Sequence, residues 1–319
     1  MIKSPPICSV IIVSYKGFHD TTGPCLQSLL NCTEDIEIIV VDNNSGSETR
    51  KLLSQAAQKD PRINLLFLDE NRGYAAGNNI GARAANSSPL LLLNSDTLVP
   101  VHALQRLCNL MDKNPHWDML GPVTNSAGND QHILCDADTP QEIMAQGTRW
   151  CSHTPEINFQ TDRLIFFCVV IRSELYQDFQ GLDEEFGLGY YEDTDFVYRV
   201  IKSGKRLVIT EDVFIYHKGK GSFSRRSGAV RKLIKRNKKL FKKKHGHGET
   251  TDHWRIKNLQ ALQRYQTSLS HGVSPQQLQY AFSNRYKLAE TLMPNSPIKR
   301  FFYRRRLRAV LELFKKGSP

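Results

Sequence analysis

The chain has 319 residues, of which 40% are hydrophobic, 24% charged and 9% aromatic, enough apolar material for one sizeable core or two modest ones. With 20 Gly, 14 Pro and 7 Cys it is neither collagen-like nor a disulfide scaffold, and its composition is not that of a wholly disordered chain. The net charge of +11 conceals a division: residues 1–217 hold 17 Lys+Arg and 28 Asp+Glu, net −11, whereas residues 218–319 hold 26 and 4, net +22. An acidic body with a basic tail implies two tasks, one of them at an anionic surface such as nucleic acid, phosphate or membrane. No apolar window of about 18 residues is present, and residues 1–6 lack the apolar segment of a signal peptide, so a cytoplasmic protein is expected. The seven cysteines form no close CxxC pair, and most are expected as small buried apolar residues.

Taken in order, the first third alternates strand and helix patterns. Cys8 to Ser14 is a β-branched run of strand length, and a helical stretch with Cys25, Leu26, Leu29 and Leu30 follows. Strands are predicted over Ile36 to Val41, Ile63 to Leu68 and Leu90 to Leu93, with helices from about Glu48 to Gln58 and Ala75 to Ala85 between them. Near-continuous apolar strands alternating with helices predict an α/β fold, a mostly parallel sheet with helices on both faces. A helix Ala103 to Lys113 and a strand Met119 to Val123 come next; Thr124 to Asp162 has weak periodicity and is expected to be loop-rich. Leu164 to Ile171 is a further apolar run, Glu192 opens a helix ending near Gly204, and strands near Leu207 to Thr210 and Val213 to Tyr216 lead to His217. Beyond a Gly/Ser loop at Lys218 to Ser224, helices are expected over about Ala229 to Lys244, His253 to Ser270, Pro275 to Leu292 and Pro297 to Lys316. The expected division is a catalytic domain over residues 1–223 and a basic helical region over residues 224–319.

In such sheets ligands bind beyond the carboxyl ends of the strands, so the polar residues there carry the argument. Asp42, followed by Asn43-Asn44-Ser45, suits hydrogen bonds from a ribose or a base; a turn-forming helix cap is the plain alternative. Asp96, in Asn94-Ser95-Asp96-Thr97, suits a divalent ion on a diphosphate, again with a helix cap as the alternative. Glu192, Asp193 and Asp195 open a helix whose dipole favours ionised carboxylates, which suits a general base as well as a solvated helix start. His217 suits a metal ligand beside a lysine- and glycine-bearing loop that could fold over a phosphate, or a structural histidine. His245, His247, Asp252 and His253 match no metal spacing and read as a polar linker.

Together SVIIVSY, IIVVDNNS, ENRGYAAGNNIGA, LLLLNSDT, GLDEEF, YYEDTDFVYRV and HKGKGS, in this order from Ser9 to Phe223, resemble the family 2 glycosyltransferases of the GT-A (Rossmann-like) fold, especially bacterial rhamnosyltransferase-like members. The resemblance implies that Asp42 contacts a nucleotide base, with Tyr15 and the Asn71, Gly73, Asn78 and Asn79 segment lining the sugar-nucleotide site. It implies Mg²⁺ or Mn²⁺ at Asp96 with His217 as second ligand, Asp193 as general base, and Glu192 and Asp195 on the acceptor side. Family members often carry two carboxylates in the metal motif; here Asp96 stands alone, which gives His217 and the substrate diphosphate a larger share. The implied reaction is inverting transfer of a sugar, rhamnose as leading choice, from a dTDP- or UDP-linked donor to a glycan or lipid-linked acceptor in cell-surface polysaccharide synthesis. A UDP-linked GlcNAc, galactose or glucose donor is the alternative.

For the basic tail, Ile298 to Lys316 mixes cations with apolar Phe301, Leu307, Leu311 and Phe314, the pattern of a helix in an anionic membrane interface. A helix packed on the catalytic domain is the plain alternative. A nucleic-acid-binding protein is the rival class, and the acidic body and the lack of an established nucleic-acid motif speak against it. A sugar nucleotidyltransferase would need a Gly-rich Arg/Lys signature after the first strand, where Ser14-Tyr15-Lys16-Gly17 offers none.

Overall fold

Val10 to Ile12, Ile38 to Val41 and Leu90 to Leu93 are buried at successive positions rather than alternate ones, so both faces of these strands are covered. A computed structural model describes residues 5–154, 156–219, 228–246, 253–270 and 274–316. The elements are β1 (Ser9–Ser14), α1 (Thr22–Leu30), β2 (Glu37–Asp42), α2 (Ser47–Lys59), β3 (Ile63–Phe67), α3 (Gly73–Ala84), β4 (Leu90–Asn94), β5 (Thr97–Leu98) and α4 (Ala103–Lys113). There follow β6 (Met119–Val123), α5 (Pro140–His153), β7 (Asn158–Thr161), β8 (Cys168–Ile171), α6 (Ser173–Asp178), α7 (Glu192–Lys202), β9 (Leu207–Phe214) and β10 (Tyr216–His217). Four helices close the chain: α8 (Gly228–His245), α9 (His253–Ser270), α10 (Pro275–Thr291) and α11 (Pro297–Lys316).

The main sheet runs β3-β2-β1-β4-β8-β6-β9-β7. β1 pairs parallel with β2 and β4, and β2 with β3, whereas β8 pairs antiparallel with β4 and β6. This is the expected α/β fold with a largely parallel core. The parallel register brings Ser14 beside Asp42 and Val13 beside Asn94, so the segments after β1, β2 and β4 leave one edge. A second, two-stranded sheet pairs β5 with β10.

The chain divides into two compact units. One comprises residues 1–122, 159–209 and 217–248, the other residues 123–158, 210–216 and 249–319. This grouping differs from the expected division at residue 223: α8 belongs with the first unit, and the stretch after β6 with the last three helices.

Two further departures share a cause. Residues 124–162, expected to be loop-rich, hold the fourteen-residue α5 and β7. Only Gly147 and Trp150 of α5 are buried, too few to show periodicity; its signal is instead the start, where Thr139 and Glu142 form a capping box ahead of Pro140. Gly147 is required by packing, since a Cβ there would stand 2.2 Å from the Phe214 ring. Strands expected over 207–210 and 213–216 are joined in β9, which is buried throughout, Glu211 and Asp212 included. Glu211 accepts from Arg285 Nη2 at 2.6 Å and from the Tyr265 hydroxyl at 2.6 and 2.7 Å, so a residue that reads as a break is buried and paired within the second unit.

Candidate active site

The site is built on the carboxyl edge of β1, β2 and β4. Asp42 ends β2 and is fully buried. Its Oδ2 accepts from the Ser45 amide at 3.3 Å and from Arg50 Nε at 3.0 Å, while its Oδ1, equally buried, has no hydrogen-bond partner. A buried acceptor left open is costly unless a ligand donor meets it. Beside it, Asn43 clasps the next loop: its Oδ1 accepts from the Arg72 amide at 2.8 Å and its Nδ2 donates to the Gly73 carbonyl at 3.1 Å. Asn71 accepts from the Gly73 amide at 3.0 Å, and a hydrogen bond with Asn71 holds the half-buried Tyr15 phenol below its ordinary range. Tyr15, Asp42, Asn71 and Gly73 are thus linked around one edge.

Asn78 and Asn79 have other partners. Asn78 donates to the Tyr74 carbonyl of its own helix at 2.9 Å. The Asn79 amide donates to the Leu182 carbonyl and Glu184, and its oxygen accepts from the Tyr176 hydroxyl and the Leu182 amide. Both polar ends of Asn79 are therefore spent on tying α3 to the segment before α7.

The β5–β10 pair brings Asp96 to His217. Asp96 lies just after β4 and His217 ends β10; Asp96 Oδ1 stands 3.3 Å from His217 Nε2, with both side chains largely buried. The imidazole stacks on Phe167 at 5.4 Å, and the Lys218 amide donates to the Asp96 carbonyl at 2.9 Å. Among the described residues no third His, Cys, Asp or Glu completes a cluster. One carboxylate oxygen and one imidazole nitrogen facing each other fit two corners of an Mg²⁺ or Mn²⁺ shell, with the remaining corners left to water or a diphosphate. Most of the glycine loop that follows, residues 220–227, lies outside the described residues.

The third component is the start of α7. Gly73 has φ +86° and a Cβ there would lie 2.1 Å from the Gly187 carbonyl oxygen, so only glycine lets the start of α3 meet the loop that precedes α7. Glu192 is buried, its Oε2 has no partner, and burial followed by the charge of Asp193 pushes its carboxyl up to about 8. Burial also raises Asp193, opposed by the charge of Arg163 and by the Thr194 amide and hydroxyl, which donate to its Oδ1 at 2.7 and 3.2 Å. The Tyr74 hydroxyl, pushed well up by burial and then by these two carboxylates, donates to the Phe166 carbonyl at 2.9 Å.

Asp195, expected on the acceptor side, has both oxygens taken within the protein: Oδ2 by Arg199 Nε at 2.7 Å and Oδ1 by His245 Nε2 at 2.7 Å. Its buried carboxylate anchors α8 rather than presenting an open oxygen. The same contact removes His245 from the expected polar linker; His247 and Asp252 lie outside the described residues. Sequence reasoning also gave no role of its own to Asn43, whose signal was its place next to Asp42.

Residues 9–167 match the family model "Glycosyl transferase family 2". The low-salt glycan biosynthesis hexosyltransferase Agl10 of Haloferax volcanii is 26% identical over 200 residues, 60% of this chain and 60% of that protein. The chain spans about half the length of the curated relatives it matches. Among solved structures, S. aureus TarS 1-349 in complex with UDP-GlcNAc superposes with a TM-score of 0.57 at 16% identity, covering 98% of this chain and 92% of that one. GalNAc-T7 with UDP, GalNAc and Mn²⁺ gives 0.56 at 16% identity, covering 75% and 48%. These likenesses show a shared fold, and with the family match over residues 9–167 the chain belongs to glycosyl transferase family 2.

Proposed function

We propose that the protein transfers a sugar from a nucleoside-diphosphate donor to a hydroxyl of a glycan or lipid-linked acceptor in polysaccharide synthesis, with inversion at the anomeric carbon. The observation that carries this reading is the buried, partnerless Oδ1 of Asp42 on the same strand edge as the Asp96–His217 pair. Asp42 Oδ1 accepts the N–H of the base, and Tyr15 and Asn71 border the nucleotide. Asp96 and His217 would hold Mg²⁺ or Mn²⁺, which when bound supplies positive charge against the departing diphosphate. The solved relative that carries Mn²⁺ with UDP supports this assignment.

Asp193 takes the proton of the acceptor hydroxyl as that oxygen bonds to the anomeric carbon; the bond from that carbon to the diphosphate oxygen breaks, and its electron pair leaves on the nucleoside diphosphate. Glu192, buried beside Asp193 and with its Oε2 open, borders the acceptor side. The leading donor is dTDP-rhamnose, with UDP-linked GlcNAc, galactose or glucose as the second reading; the UDP-GlcNAc complex of TarS favours the second. The reaction is placed at the inner face of the cytoplasmic membrane, on the strength of the basic tail. Among the described residues no helix is long and apolar enough to cross a membrane.

Thermal shift and hydrolysis of a nucleotide-sugar panel with Mn²⁺, followed by transfer to an acceptor extract, test the reading. Stabilisation by one nucleotide sugar, lost in Asp42→Ala and in Asp96→Asn, is the expected result. A panel in which no nucleotide sugar stabilises or reacts overturns it.

A further inference from the structure

Helix α11 carries two apolar stripes. Tyr303, Leu307, Val310 and Phe314 are buried, with the Phe314 ring stacked on Phe282 of α10 at 3.8 Å. These are the positions that pack the helix within the second unit, so Leu307 and Phe314, expected at a membrane interface, belong to the core instead. On the opposite side Ile298, Phe302, Ala309 and Leu313 recur at i, i+4, i+11 and i+15, one face of a 3.6-residue helix, with Phe301 beside them. Ile298, Phe301, Phe302 and Leu313 are 72%, 63%, 56% and 47% exposed, half of the eight large hydrophobic residues exposed in the described chain. The helix carries eight Lys and Arg against one acidic residue, Glu312. Arg304 and Arg308 line a cleft of about 340 Å³ with Leu307 and with Tyr286, Glu290 and Met293.

We infer that this outward face is a docking surface for an anionic phospholipid surface, which deepens, and rests on, the membrane location proposed above. The apolar stripe enters the acyl boundary while the flanking cations meet lipid phosphates. An apolar stripe finds no partner in a nucleic-acid backbone, and a second copy would set eight cations against eight.

Cosedimentation of the full chain with phosphatidylcholine vesicles, with and without phosphatidylglycerol, tests this surface without requiring sugar transfer. The expected result is retention on anionic vesicles only, reversed at 1 M salt and reduced at least tenfold in I298S/F301S/F302S at unchanged thermal stability. Arg304→Gln with Arg308→Gln is expected to weaken binding several-fold. Equal retention of the triple variant, equal binding to both vesicles, or light scattering that shows a dimer dissolved by the triple variant would each overturn the inference. Failure here leaves donor binding intact, and so separates this inference from the transferase reading.

A second inference rests on a different helix. Gly187, Gly189, Tyr190 and Tyr191, the residues leading into α7, have φ of 73°, 147°, 70° and 79°, a costly run for two tyrosines. The Asn237 amide of α8, fully buried, donates to the carbonyls of Phe186, Gly189 and Tyr190 at 2.8, 2.9 and 2.8 Å. Arg236 reaches the Glu185 carbonyl at 3.1 Å, Lys244 pairs with Asp183 and Glu185, and His245 with Asp195. We propose that Asn237 is a positioning residue, which holds the strained loop so that Asp193 meets the acceptor; the proposal rests on Asp193 as base.

Asn237→Asp removes the N–H donors at constant size, and Asn237→Ala removes them without adding charge. Both are expected to lower kcat by about 10²-fold, as a displacement near 1 Å does, with the donor Kd within twofold and the acid limb of the pH profile displaced. Unchanged kcat and acid limb in folded Asn237→Ala, or kcat and donor affinity falling together, would sink the proposal. Retention of activity in Asp193→Asn would instead defeat the transferase reading on which it stands.

Discussion

Two buried carboxylates, Glu192 in the first unit and Glu211 in the second, meet the same cost in opposite ways. Glu211 is fully buried against an equally buried Arg285, with the Tyr265 hydroxyl on both its oxygens and the guanidinium 5.3 Å over the Trp150 ring. Every strong electrostatic demand of Glu211 is met inside the protein, so it can only hold structure together. Glu192 is buried with an open oxygen and a second carboxylate as neighbour, and burial followed by that neighbour's charge pushes its carboxyl up to about 8. Demand left unmet inside the fold is what remains available to a substrate. Asp42 Oδ1 follows the same rule, and Asp195, with both oxygens bound, follows the rule of Glu211.

The comparison breaks most sharply at Asp193. Asp193→Asn is expected to lower turnover by about 10²- to 10⁴-fold while calorimetry shows donor binding unchanged. In the second unit the effect falls on stability: Arg285→Ala strands a buried charge and is expected to cost about 3–5 kcal/mol in denaturant unfolding. The double change Glu211→Leu with Arg285→Met, which removes both charges, should recover most of that loss, and a double variant as unstable as the single one would show that the pair does more than satisfy itself. Smaller is the effect of Gly73→Ala, where a φ of +86° and the Gly187 carbonyl resist any Cβ; about 1–3 kcal/mol is expected, with reduced transfer.

Smallest, and most diagnostic, is the pH dependence of Glu192. Its folded pKa lies above its unfolded one, so the folded state holds a proton that the unfolded state releases, and stability falls as pH rises from the ordinary glutamate range toward about 8. Glu192→Gln should abolish that part of the slope, read as a thermal midpoint that changes less between pH 6 and pH 9. Because burial raises Asp193 as well, the acid limb of kcat/KM should stand above the ordinary aspartate range.

The legible part of the fold was the part made of local pattern. β1, β2, β3 and β4 fall within a residue or two of expectation because each is an apolar run closed by a polar turn, and Asp42 and Asp96 end up near that sheet edge for the same reason. α5 stayed hidden because it buries only Gly147 and Trp150, and β9 because Glu211-Asp212 looks like solvent-facing polarity until Arg285, 74 residues later, is seen against it. The outward stripe of α11 was partly visible, but which apolar residues face in and which face out depends on packing against the other helices of its unit.

The sequence by itself determined the parallel sheet, the strand-end carboxylates and the split of charge, since these depend on alternation, run length and composition along the chain. Only the tertiary structure decided which acidic groups are free to act. Asp195 and Asp193 stand two residues apart on one helix with the same chemistry, and what separates them is that Arg199 and His245 occupy both oxygens of one while the other is left with the Thr194 donors and the charge of Arg163. Ionisation and availability follow from burial and from partners brought in across long loops, and those are properties of the folded chain alone.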